Sequence, residues 1–71
     1  MKHEQWKAIS NSRMEFLIDE FIHNKRNRKI MKLHFIDGES YDAIAGDVGI
    51  TARHVSNVID RCCADLAEYL F

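Results

Sequence analysis

The stretch Tyr41-Asp42-Ala43-Ile44-Ala45-Gly46-Asp47-Val48-Gly49-Ile50-Thr51-Ala52-Arg53-His54-Val55-Ser56-Asn57-Val58-Ile59-Asp60 decides the fold. Apolar residues recur at Ile44, Val48, Ile50, Val55 and Val58, and the small Ala45 stands four positions before Gly49. Two helices that cross steeply pack closely only where a small side chain lies at the crossing, and the turn between them needs a residue that tolerates positive φ. The spacing therefore predicts a helix capped by Ser40, ended by Gly49, and followed by a second helix capped by Thr51. Asp42 sits in the first turn of the earlier helix, where a negative charge is favoured. Val55, Val58, Ile59, Cys62, Leu66, Tyr69 and Leu70 form the expected buried stripe of the last helix.

Upstream, Ser12 with Glu15 three residues later reads as a capping box. Met14, Leu17, Ile18, Phe21 and Ile22 then follow at the spacing of one buried helix face. The segment from Asn24 to Asn27 is the expected break. A second helix carries Ile30, Met31, Leu33 and Phe35, runs to Ile36, and is ended by Gly38. Trp6 and Ile9 either extend the first helix or form a turn packed over it. The fold class is thus all-α: a small four-helix domain containing a helix-turn-helix at residues 41–60.

Composition agrees with one small globular domain spanning residues 1–71. The chain has no Pro, 3 Gly, 46% hydrophobic and 30% charged residues, which excludes disordered and low-complexity classes. No apolar run approaches the roughly 18 residues of a membrane span, and the start of the chain lacks a secretory pattern, so a cytoplasmic protein without membrane partners is expected. A core of this size gives little net stability, which makes a homodimer or another partner a reasonable expectation. The net charge is only −1, but the charges are segregated. Phe21 to Ile36 contains no acid and holds Lys25, Arg26, Arg28, Lys29 and Lys32; Asp37, Glu39, Asp42 and Asp47 follow. Lys25, Arg28, Lys29 and Lys32 share one helix face. Such a face is either solvated or meets a polyanion.

A helix-turn-helix is the arrangement that lays its second helix in the DNA major groove, with the first turns reaching base edges. The outward positions expected there are Thr51, Ala52, Arg53, His54, Ser56, Asn57 and Arg61. Arg53 suits a bidentate contact to guanine and Asn57 one to adenine, each worth ~1–3 kcal/mol of discrimination. Ala52 can sit against a thymine methyl, while Thr51 and Ser56 can donate to phosphate. Lys25, Arg26, Arg28, Lys29, Lys32, Tyr41 and Arg61 are the phosphate candidates. Asp60 would repel phosphate, which limits groove insertion to the first two turns.

The run from Arg28 to Ala45, continuing through Val48-Gly49-Ile50-Thr51 and Val55, resembles region 4 of bacterial sigma factors, above all the extracytoplasmic-function type and small phage or prophage regulators built on that module. The resemblance covers residues 25 to about 70 without a gap, leaving 1–24 as an N-terminal helical segment before a region 4-like module at 25–71. It implies a domain that binds promoter DNA and touches RNA polymerase. Ala43 stands where the family usually carries an acid, Gly46 sits mid-helix at a cost of up to ~1 kcal/mol relative to Ala, and Ala52 and Ser56 occupy two places of the family's charged base readers. The promoter sequence is therefore not inherited, and the module alone is expected, without a part that melts a promoter.

Other chemistries lack their residues. His3, His23, His34 and His54 are scattered, and adjacent Cys62 and Cys63 lack the spacing of a zinc pair, so no metal and no cofactor is expected. Cys62 falls on the apolar stripe, leaving Cys63 as the one facing outward. No phosphate loop, nucleophile elbow or supported carboxylate pair is present, so neither an enzyme nor a small-molecule substrate is expected. The competing expectation is a protein-interaction module: Trp6, Ile9, Phe16 and Tyr69-Leu70-Phe71 offer more apolar surface than one small core needs, for a homodimer or for docking on RNA polymerase or another regulator.

Overall fold

The computed structural model describes residues 5–70, with every side chain in that range except those of Gln5, Lys7 and Leu70. A 3-10 turn, Gln5–Ala8, leads into α1 (Asn11–Phe21), α2 (Lys25–Phe35), α3 (Tyr41–Val48) and α4 (Ala52–Leu70). No strand occurs among the described residues. The fold is all-α, as the apolar spacing requires.

The helix starts follow the physics of orphan amides. Asn24 accepts from the Asn27 N–H at 3.0 Å, Ser40 from Ala43 at 3.1 Å, and Thr51 from His54 at 3.1 Å. Each side chain satisfies a donor that the first helical turn leaves without a partner. The first helix departs from expectation: its cap is Ser10, which accepts from the Arg13 N–H at 3.2 Å, so Ser12 lies inside the helix. Starting two residues earlier places Ile9 just before the cap and Met14 four residues beyond it, the positions of a hydrophobic staple. Met14 is buried and Ile9 packs partly buried against the core, so burial selects between two competent serines.

Helix ends are equally local. At the end of α3, Gly49 takes φ 84° and donates to the Ala45 carbonyl at 2.8 Å, while Ile50 donates to the same oxygen at 3.2 Å. This doubly hydrogen-bonded stop uses a left-handed backbone that costs a side chain roughly 1–2 kcal/mol. α2 ends at Phe35 with Ile36 as its cap, and Gly38 adopts φ 73° in the following turn.

α2 and α4 pack directly on each other, and α1 and α3 each touch both of them without touching one another. Ile18, Ile30, Met31, Ile44, Val55, Ile59 and Leu66 have essentially no exposure. Of the two alternatives for Trp6, the structure takes the packed turn: the 3-10 turn folds it into the core, its ring 5.7 Å from that of Phe35, which removes it from the apolar surface expected to meet a partner. Two further expectations about apolar residues are corrected. Tyr69, expected in the stripe, is 55% exposed and stacks on Phe21 with ring centroids 3.9 Å apart, because it lies near the end of a helix that outruns its neighbours. Cys63, expected outward, is buried beside Cys62, since α4 is covered from several sides and its apolar sector widens. Leu70's side chain and Phe71 lie outside the described residues.

Gly46 is exposed within α3, and a Cβ there meets nothing within 4 Å. Gly46→Ala should raise stability by up to about 1 kcal/mol through helix propensity, read as a Tm increase of roughly 4–8 °C at most for a domain of this size. Gly49→Ala should lower stability by roughly 1–2 kcal/mol in the same thermal unfolding measurement.

Burial, followed by the neighbouring Cys62 and Asp60, pushes the Cys63 thiol up from 9.0 to about 12. Burial also raises Cys62, with Asp65 adding to it and Arg61 opposing. Above the unfolded pKa, the unfolded chain loses these protons while the folded chain keeps them, so stability falls as pH rises. Denaturant midpoints should decline from about pH 9 towards 12, and a Cys63→Ala variant should flatten that decline.

Candidate nucleic-acid interface

The tight turn at Gly49 sets the start of α4, and Val55, Val58 and Ile59 anchor its inner side in the core. That anchoring decides what remains outside. Arg53, His54, Asn57 and Arg61 are exposed, and their three- and four-residue spacing gathers them on one face. Arg53 and Arg61 are separated by about 12 Å along the helix at 1.5 Å per residue. Asp60 is exposed between them, so the positive end of this surface lies in the first two turns. Ala52 and Ser56 are half-buried, at the edge of the face. Thr51 is exposed, but its Oγ1 is occupied as the acceptor of the cap, leaving the hydroxyl proton to donate.

The phosphate candidates do not form one surface. Lys25, Arg28, Lys29 and Lys32, with Leu33, line an open groove of about 290 Å³ on the solvent side of α2. Lys32 is drawn out of that set: its Nζ lies 2.7 Å from Asp19 Oδ1 and 4.0 Å from Glu15 Oε2 on α1. Arg26 points elsewhere, with Nε and Nη2 donating to Asn27 Oδ1 at 3.4 and 3.3 Å. Tyr41 is half-buried against the core, its ring 5.1 Å from that of His34. Burial first, then the charges of Asp60 and Cys63, raises the pKa of its phenol.

The relation between the two surfaces is tertiary. The inner sides of α2 and α4 pack on each other, with Ile30 and Met31 buried on one and Val55 and Ile59 on the other. The basic face of α2 is therefore turned away from the polar face of α4. Nothing in local periodicity reports the relative direction of two helices. The acids after α2 also come close to its basic face. Burial raises the Glu39 pKa, Asp47 and Asp37 raise it further, and Lys29 lowers it, which places Lys29 at the border of an acidic surface.

Among the described residues, no group of three or more His, Cys, Asp or Glu side chains is arranged to hold a metal ion, and no helix is long and apolar enough to cross a membrane. No protein-family model, curated protein or solved structure matches the chain.

Proposed function

We propose that this chain is a sequence-specific double-stranded DNA-binding transcriptional regulator of the sigma region 4-like type, acting in the cytoplasm and carrying out no catalytic step. The observation that carries the reading is the start of α4. A short helix and a left-handed glycine turn present two helical turns whose inner side is locked in the core and whose outer side offers Arg53, His54 and Asn57. A helix held this way can enter the major groove as a rigid body, which spares the ordering cost of a flexible reader. Arg53 and Asn57 read base edges, and Thr51 and Arg61 serve the flanking phosphates. Asp60 confines the insertion to the start of the helix. RNA polymerase is the protein partner that the resemblance of residues 25–70 to region 4 adds to this reading.

One observation favours a second reading, an interaction module that does not bind DNA. Phe16 on α1 is 60% exposed, and Tyr69 is 55% exposed over Phe21. Large exposed apolar side chains suit a protein contact, either a homodimer or a polymerase-docking surface.

Fluorescence anisotropy of the full chain on a random-sequence duplex separates the two. The DNA-binding reading expects a Kd in the ~10⁻⁴ to 10⁻⁶ M range that weakens steeply with salt. On a selected site, Arg53→Ala or Asn57→Ala should each cost about 1–3 kcal/mol and relax preference at one base pair. No binding at low salt would favour the interaction module, whose association should then depend on Phe16 and Tyr69.

A further inference from the structure

The α2 groove has no role in the contact made by α4, yet it is the most concentrated positive surface in the sequence. Lys25, Arg28 and Lys29 line it together with Lys32, and the neighbouring stretch from Phe21 to Ile36 contains no acid. The charges recur at each helical turn, roughly 5–6 Å apart, a row suited to a repeating polyanion. No aromatic side chain lines the groove, so unstacked bases find no platform of the kind that single-strand binders use. What the face can grip is the outside of a duplex. Because α2 and α4 bury their inner sides against one another, this face looks away from the one that α4 presents to a duplex.

We propose that the α2 face is a second seat for duplex DNA, indifferent to sequence, so that one molecule joins two duplex segments. The inference rests on the reading of α4 as the helix that enters the groove of the first segment. Lys25, Arg28 and Lys29 grip the phosphates of the second. Lys32 contributes less, because Asp19 already holds it at 2.7 Å. Three phosphate contacts predict a salt exponent of about −2.7, an affinity loss of about 40-fold between roughly 50 and 200 mM salt.

The test uses the full chain, a bead-bound duplex carrying the selected site and a labelled random duplex in solution. Wild-type protein should retain the labelled duplex on the beads at about 50 mM salt and release it at about 200 mM. The double variant Lys25→Glu, Lys29→Glu changes two exposed side chains. It should keep its helical circular dichroism and bind the single selected duplex within about threefold of wild type, while losing retention of the second. Asp19→Asn, which releases Lys32, should increase retention. Retention undiminished in the double variant would overturn the inference, as a homodimer presenting two α4 faces would do. So would wild-type protein that binds one duplex and never a second. Loss of all DNA binding in the folded double variant would overturn the inference as well, because α2 would then serve the same duplex as α4 or be the sole seat. Arg53→Ala separates these, weakening binding to the selected site in the first case and leaving it unchanged in the second.

Discussion

The packing of α2 on α4 is the contact from which the other arrangements follow. Ile30, Met31, Val55 and Ile59 have no solvent exposure, and removing such side chains from a core of this size typically costs from about one to several kcal/mol each. α1 and α3 each pack against both central helices without meeting one another. The inner sides of α2 and α4 are thus committed, and their outer sides look in different directions. Whatever these surfaces bind, their mutual placement is a by-product of core burial.

Charge segregation takes a different form in three dimensions from the one it has along the chain. The acid-free stretch from Phe21 to Ile36 forms a basic face, but acids reach it from two sides. Asp19 and Glu15 come across from α1 to Lys32, and Glu39 lies within electrostatic reach of Lys29. An exposed ion pair contributes little to stability, around 0–1 kcal/mol. Its larger consequence is local: it lowers the number of cations on α2 that a polyanion can engage. A nearly neutral chain can in this way carry a positive groove bordered by negative surface, with orientation rather than net charge deciding what approaches.

Much of the secondary structure was legible because its causes are local. Asn24, Ser40 and Thr51 cap helices where their side chains can accept an amide, and Gly49 ends α3 because it alone takes φ 84° without a Cβ penalty. The buried faces of α1, α2 and α4 follow from three- and four-residue apolar spacing. Legibility stopped where two local answers were equal. Ser10 and Ser12 are both competent caps, and the choice fell to the residue that lets Ile9 and Met14 pack at the helix entry. Cys63 and Tyr69 were misplaced for a related reason. The width of an apolar sector depends on how many neighbours cover the helix, and a stripe drawn on one helix does not contain them.

The sequence by itself determined four helices, the caps at Ser40 and Thr51, the stop at Gly49, and that Arg53, His54, Asn57 and Arg61 stand opposite the apolar side of α4, since periodicity and capping chemistry act within a few residues. The tertiary structure alone decided that Trp6 closes over the core, that Lys32 is held by α1, and that the basic face of α2 looks away from Arg53 and Asn57. Those outcomes depend on contacts between residues far apart in the chain, where the free energy of burying both partners, and no local preference, sets the geometry.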